Sequence, residues 1–230
     1  MFYANPIFFT SLLVLLPAIA LSIYAQVRVN NTYKKYSQVR ASSGLTGAEA
    51  SRRLLNQAGL TDVSIEVIPG NLSDHYDPRA RVLRLSEGVA KHDSLASLGV
   101  AAHETGHAIQ DANGYAPMKI RSAVVPAASF GSSLGPMIFF VGLFFSASQM
   151  LMNVGIILFT AAVVFQIVTL PVEFDASSRA MKLLQSNGIV VGEEAKAARK
   201  VLSAAALTYV AAALMAILSL VRMVLISRSN

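Results

Sequence analysis

Leu151–Leu170 reads LMNVGIILFTAAVVFQIVTL and is followed at once by Pro171-Val-Glu-Phe-Asp175. These 20 positions hold no charged residue. An uncharged run of that length spans the hydrocarbon of a bilayer as a helix. It therefore decides the fold class: an integral membrane protein. The run ends at Pro171, and the span is expected to end there with it. Three more runs lie outward from it. Val124–Ala147 carries no charge but holds Pro126, Gly131, Gly135 and Pro136, so a kinked span is expected. Ala204–Ile226 has only Arg222, near its end and able to snorkel, and its run Ala211–Ala213 would let another helix pack closely. Ile7–Val27 holds 21 uncharged residues. No Lys or Arg precedes it and no clear cleavage site follows, so it reads as a retained anchor and not a signal peptide.

The whole composition agrees. Of 230 residues, 54% are apolar and 14% charged, against about a quarter charged in soluble domains. Zero cysteines exclude a disulfide scaffold, cysteine-ligated zinc and a cysteine nucleophile. The net charge of +6 could suggest nucleic acid, but its placement argues for topology. Residues 28–123 contain 12 of the 19 Lys and Arg, residues 171–203 contain five, and the short loop Ser148–Met150 contains none. By the positive-inside rule both polar segments face the cytoplasm and both termini face outward, which Arg222 and Arg228 oppose only weakly. No nucleic-acid partner is expected. The partners expected are the lipid bilayer, a peptide or protein substrate, and a membrane protein or a second copy of the chain. The membrane would be a bacterial inner or plasma membrane.

Within 28–123, Thr46-Gly-Ala-Glu49 reads as a capping box opening a helix that ends near Gly59. Val63–Ile68 and Ala80–Leu85 alternate and read as strands, the second with one solvent face. A helix starting near Asp93 or Ser94 runs through Gln110. It carries His103-Glu104-Thr105-Gly106-His107, an H-E-x-x-H sequence holding two of the four histidines. Four residues apart, the two imidazoles share a helix face and can reach one Zn²⁺. Glu104 projects beside the metal, where it can take a proton from a water that the metal acidifies, as a general base.

A catalytic zinc needs a third protein ligand. Glu173 is best placed, because the third span returns the chain to the side where the motif helix leads into the second span. His75 is the runner-up, and an acid complementing a helix N-terminus is the competing reading of Glu173. Asp175 could fix a ligand imidazole through a hydrogen bond. Arg179 could pair with Asp175 at i,i+4 or polarise a substrate carbonyl. Asp74-His75-Tyr76-Asp77-Pro78 leads into the strand, and an exposed edge could pair with an extended peptide through His75, Tyr76, Val82, Leu83, Arg84 and Leu85. A turn followed by an internal strand is the alternative.

The H-E-x-x-H sequence, Asp74–Pro78 and Glu173-Phe-Asp-Ala-Ser177 together resemble the YugP-like neutral zinc metallopeptidases, over nearly the whole chain. More distantly the chain is similar to HtpX-type and CAAX-prenyl-type membrane proteases. The resemblance implies a zinc-dependent endopeptidase at or in the membrane. It also implies His103, His107 and Glu173 as ligands of one Zn²⁺ and Glu104 as base. The HtpX-type pattern has an acid four residues after the ligand Glu, where this chain has Ser177. The expected fold is thus mainly α. Four transmembrane helices would carry a small α+β cytoplasmic zincin-like domain. The segments are 1–27 (anchor), 28–123 (metallopeptidase domain), 124–170 (two spans), 171–203 (third ligand) and 204–230 (fourth span and tail). A non-proteolytic membrane scaffold with a structural zinc is the alternative, and it would need a fourth ligand among His75, His92 or Asp175. The motif helix is flanked by His92, Asp93, Gln110 and Asp111, which favours cleavage beside the bilayer over cleavage inside it.

Overall fold

The computed structural model describes residues 10–145 and 148–229. The start of the first expected span and the end of the second lie outside the described residues. A 3-10 turn at Ser11–Leu15 leads into α1 (Leu16–Tyr36). Then follow α2 (Gly47–Gln57), β1 (Ser64–Ile68), β2 (His75–Asp77), β3 (Val82–Ser86), α3 (Glu87–Ala90) and α4 (Leu95–Ala112). Three long helices complete the chain: α5 (Ala116–Phe144), α6 (Gln149–Ser186) and α7 (Gly192–Arg228). The protein is mainly helical with one small sheet. Four of its helices, Ser11–Tyr36, Ala116–Phe144, Gln149–Ser186 and Gly192–Arg228, are long and apolar enough to cross a membrane.

The chain divides into two compact units. One comprises Met1–Tyr24, Lys119–Leu170 and Thr208–Asn230. Its helices approach closely at glycines. A Cβ at Gly131 would lie 2.1 Å from the Leu158 carbonyl oxygen, so only glycine permits that contact between α5 and α6. Phe139, Met152, Met223 and Ile226 form its buried apolar cluster.

The other unit comprises Ala25–Met118 and Pro171–Leu207. Here α2 opens on the expected capping box: Thr46 Oγ1 accepts from the Glu49 amide and the Glu49 carboxylate accepts from the Thr46 amide. Ser94 caps α4 by accepting from the Ser97 amide. Of the 18 residues of α4, 13 are buried, so it is the core helix of this unit and not a surface one. Leu98 and Ala102 face a cluster with Leu54, Ala180, Leu184 and Ala198. Ala101 and Ala108 face a second cluster with Leu83, Leu85, Val89 and Val172.

Several expectations about these elements meet the structure as follows. The helix that carries the Leu151–Leu170 run continues past Pro171 to Ser186. Proline removes one backbone hydrogen bond. The segment after it nevertheless presents Val172, Ala176, Ala180 and Leu184, all fully buried, at every fourth position. That stripe packs only if the helix continues. The sheet order is β1-β3-β2, so β3 is the central strand. It runs parallel to β1 and antiparallel to β2. The backbone of Val82–Arg84 therefore has a strand on each side, and an incoming peptide has no edge to join there. Nor does β3 have a solvent face: Val82, Leu83 and Leu85 are buried, and Arg84 is tied to Asp77 (2.7 Å) and Glu66 (3.2 Å) on the flanking strands. The segment Asp74–Pro78 supplies the short strand β2. Asp77 Oδ1 then accepts from the amides of Arg79 and Ala80, forming the turn into β3.

Candidate metal centre

The site lies wholly in the second unit. His103 and His107 project from α4 four residues apart, with ring centroids 4.7 Å apart and edge to face. Glu173 projects from α6. Its Oε2 lies 3.1 Å from His103 Nε2 and 3.5 Å from His107 Nε2. One ligating atom from each of the three residues lies within 4.8 Å of the other two. Zinc bonds of about 2.1 Å in a tetrahedron set ligand atoms about 3.4 Å apart. The spacing therefore fits one zinc ion held by two imidazoles and a carboxylate. Glu173 is 2% exposed and His107 7%. A carboxylate so buried requires a compensating cation or hydrogen-bond donors.

Gly106 is what lets the two helices meet. A Cβ at this position would lie 2.7 Å from the Ala176 carbonyl oxygen and 3.3 Å from the Ala176 Cα. The backbones of α4 and α6 thus touch at Gly106, between the two histidines, and Ala176, three residues after Glu173. A residue inside the motif brings the histidines close to Glu173, which is distant in sequence.

Glu104 is buried beside the pair. Its Oε2 accepts from the Tyr76 amide of β2 at 3.1 Å. Burial pushes its pKa above the usual carboxylate range, against the opposing influence of the two histidines. For His107, burial works against the charged ring, but hydrogen bonding to Glu173 and the nearby carboxylates outweigh it and raise its pKa. Tyr76 is also buried, and its hydroxyl donates to Asp111 at 2.9 Å, which ties β2 to the end of α4. Burial and that bond raise the phenol pKa to about 12.

The other expected residues are placed as follows. Asp175 does not touch an imidazole. It accepts from Gln110 Nε2 at 2.7 Å and from Arg179 Nε at 2.5 Å. Gln110 is the group that meets His107, at Nδ1, 3.0 Å away. Arg179 makes the i,i+4 pair with Asp175 and lies over the Tyr115 ring at 5.7 Å. Ser177 Oγ lies 3.1 Å from His103 Nδ1. Gln110 and Ser177 were not anticipated as site residues. The available signals were their spacings, three residues after His107 and four after Glu173. His75 Nδ1 faces the Ser73 carbonyl and His92 Nδ1 the Gly88 carbonyl, so neither ring joins the cluster. Asp74 accepts from the amide and hydroxyl of Ser86, a brace between β2 and β3.

Comparison with known proteins agrees with this geometry. The family model described as "Putative neutral zinc metallopeptidase" matches residues 11–228. "Putative membrane protease YugP" of Bacillus subtilis (strain 168) is 48% identical over 209 residues, covering 91% of this chain and 92% of the relative. No solved structure matches the chain. With a match running from the first apolar helix to the last, the chain belongs to the neutral zinc metallopeptidase family.

Proposed function

We propose that the protein is an integral membrane zinc endopeptidase that hydrolyses peptide bonds at the cytoplasmic membrane surface. The observation that carries this reading is the convergence of His103, His107 and Glu173 with Glu104 held beside them. A zinc ion held there supplies Lewis acidity, lowering the pKa of a water and polarising a carbonyl. Glu104 takes the water's proton and later delivers it to the leaving amine. The Tyr76 amide fixes one oxygen of Glu104 and leaves the other for the proton. His103 and His107 orient through Ser177 and Gln110. Glu173 completes the set with a negative charge that offsets part of the cation's.

The cytoplasmic placement rests on the asymmetry of Lys and Arg along the chain. A structural zinc is disfavoured: the cluster among the described residues has three members, and Asp175, His75 and His92 have other partners. Three protein ligands leave the fourth position that catalysis needs. The test is cleavage of fluorescein-labelled casein by the detergent-purified chain, wild type beside Glu104→Gln. Cleavage abolished by excess chelator, restored by zinc and absent in the variant supports the reading. Cleavage by Glu104→Gln at the wild-type rate contradicts it.

A further inference from the structure

We propose that Gln110 is a positioning residue that locks His107 in the tautomer presenting Nε2 to the metal, and that Asp175 and Arg179 hold Gln110 in place. The proposal rests on the zinc reading of the site. Gln110 is fully buried. Its amide meets three groups: His107 Nδ1 at 3.0 Å, the Val172 carbonyl oxygen at 2.8 Å and Asp175 Oδ2 at 2.7 Å. A carbonyl and an ionised carboxylate can only accept. Both lie at the same end of the amide, so that end is the NH₂ group, with its two hydrogens used. The other end is then the carbonyl oxygen, which can only accept. His107 Nδ1 sits against it and must carry a proton. The lone pair left for a metal belongs to Nε2, the nitrogen that faces Glu173. Switching the imidazole tautomer would set acceptor against acceptor at Gln110 Oε1, and flipping the amide would set donor against donor there, which is costly inside the core.

The lock is anchored in a fixed charge. The Arg179 guanidinium offers only donors, and its Nε bonds the same Asp175 oxygen that receives Gln110. The guanidinium rests on the Tyr115 ring. His103 lacks such a lock. Its Nδ1 meets the Ser177 hydroxyl, which can donate or accept and so tolerates either tautomer. The two ligand imidazoles of one motif are thus held with different stringency.

The test is the zinc dissociation constant of the detergent-purified full chain, by chelator competition. Gln110→Met removes the acceptor and is expected to loosen zinc by about 10–100-fold, the usual effect of losing a partner behind a metal ligand. Gln110→Glu keeps an oxygen against Nδ1, and as the acid it can still donate to Asp175. It lowers the thermal midpoint, because it crowds two carboxyls, yet holds zinc far more tightly than the Met variant. A purely structural role predicts zinc loss in step with stability loss in both. Equal affinity in Gln110→Met and wild type, or equal loss in both variants, overturns the lock. A wild-type chain that takes no zinc overturns the underlying zinc reading as well, a result distinct from equal affinities. Should Gln110→Met not fold, ¹⁵N-histidine spectra of the zinc-loaded wild type decide. A protonated Nδ1 at His107 supports the lock, and an unprotonated one overturns it.

Discussion

The helices α4 and α6 bring ligands to one point by different routes. In α4 everything is local: two histidines one turn apart, a buried glutamate between them and a serine cap at the start. In α6 the local signal is only the short stretch Glu173-Phe-Asp-Ala-Ser177. Glu173 lies two residues past a proline, in a helix of 38 residues. Its role comes from a buried stripe on its own helix and from Gly106 on the other, which lets the backbones touch. Half of the site is therefore written as a motif and half as a packing distance.

The largest expected effect falls on the local half. Glu104→Gln should lower peptidase turnover about 10²–10⁴-fold, the range for a lost general base. Zinc content should not change, because Glu104 is not among the three clustered donors. Next comes the packing half. Gly106→Ala would place a Cβ 2.7 Å from the Ala176 carbonyl oxygen. It should cost about 1–3 kcal/mol as overpacking, and loosen zinc although every ligand is retained. Thermal unfolding and zinc titration read the two effects. If zinc affinity survives unchanged, the close approach of α4 and α6 is not what sets the ligand distance.

Two smaller effects sharpen the contrast. Thr46→Ala removes the cap of α2 and should cost about 1 kcal/mol of stability, leaving the zinc constant as it was. Tyr76→Phe deletes the bond to Asp111, worth about 1 kcal/mol. It also changes the alkaline limb. The folded phenol has its pKa raised to about 12, above the unfolded value near 10. Its contribution is therefore fully present below pH 10 and is lost as pH rises through 12. Wild type should lose stability across that window more steeply than Tyr76→Phe, as read by chemical denaturation at fixed pH values.

The same division explains what could be read from the residues. The four apolar helices, the caps at Thr46 and Ser94 and the two histidines depend on neighbours within a few positions. They were legible. The continuation of α6 through Pro171 was not, because proline's local cost is outweighed by burial that only the folded chain reveals. The edge-strand role of Val82–Arg84 failed for a similar reason: alternation marks a strand but does not say how many neighbours it has. The expected bond from Asp175 to a ligand imidazole is absent because the amide of Gln110 stands between the carboxylate and the His107 ring. An amide needs no charge signature, so nothing in its residue type distinguished it from an ordinary helix glutamine.

The most direct test of the central claim is metal content by mass spectrometry on detergent-purified protein, wild type beside Glu173→Ala. The site as described predicts about one zinc per wild-type chain and clear loss in the variant, since two histidines alone leave the ion without its third protein ligand. Zinc retained at wild-type stoichiometry and affinity in Glu173→Ala would contradict it. The ligand brought by α6 would then have to be another residue, and the closure at Gly106 would not be what builds the metal centre.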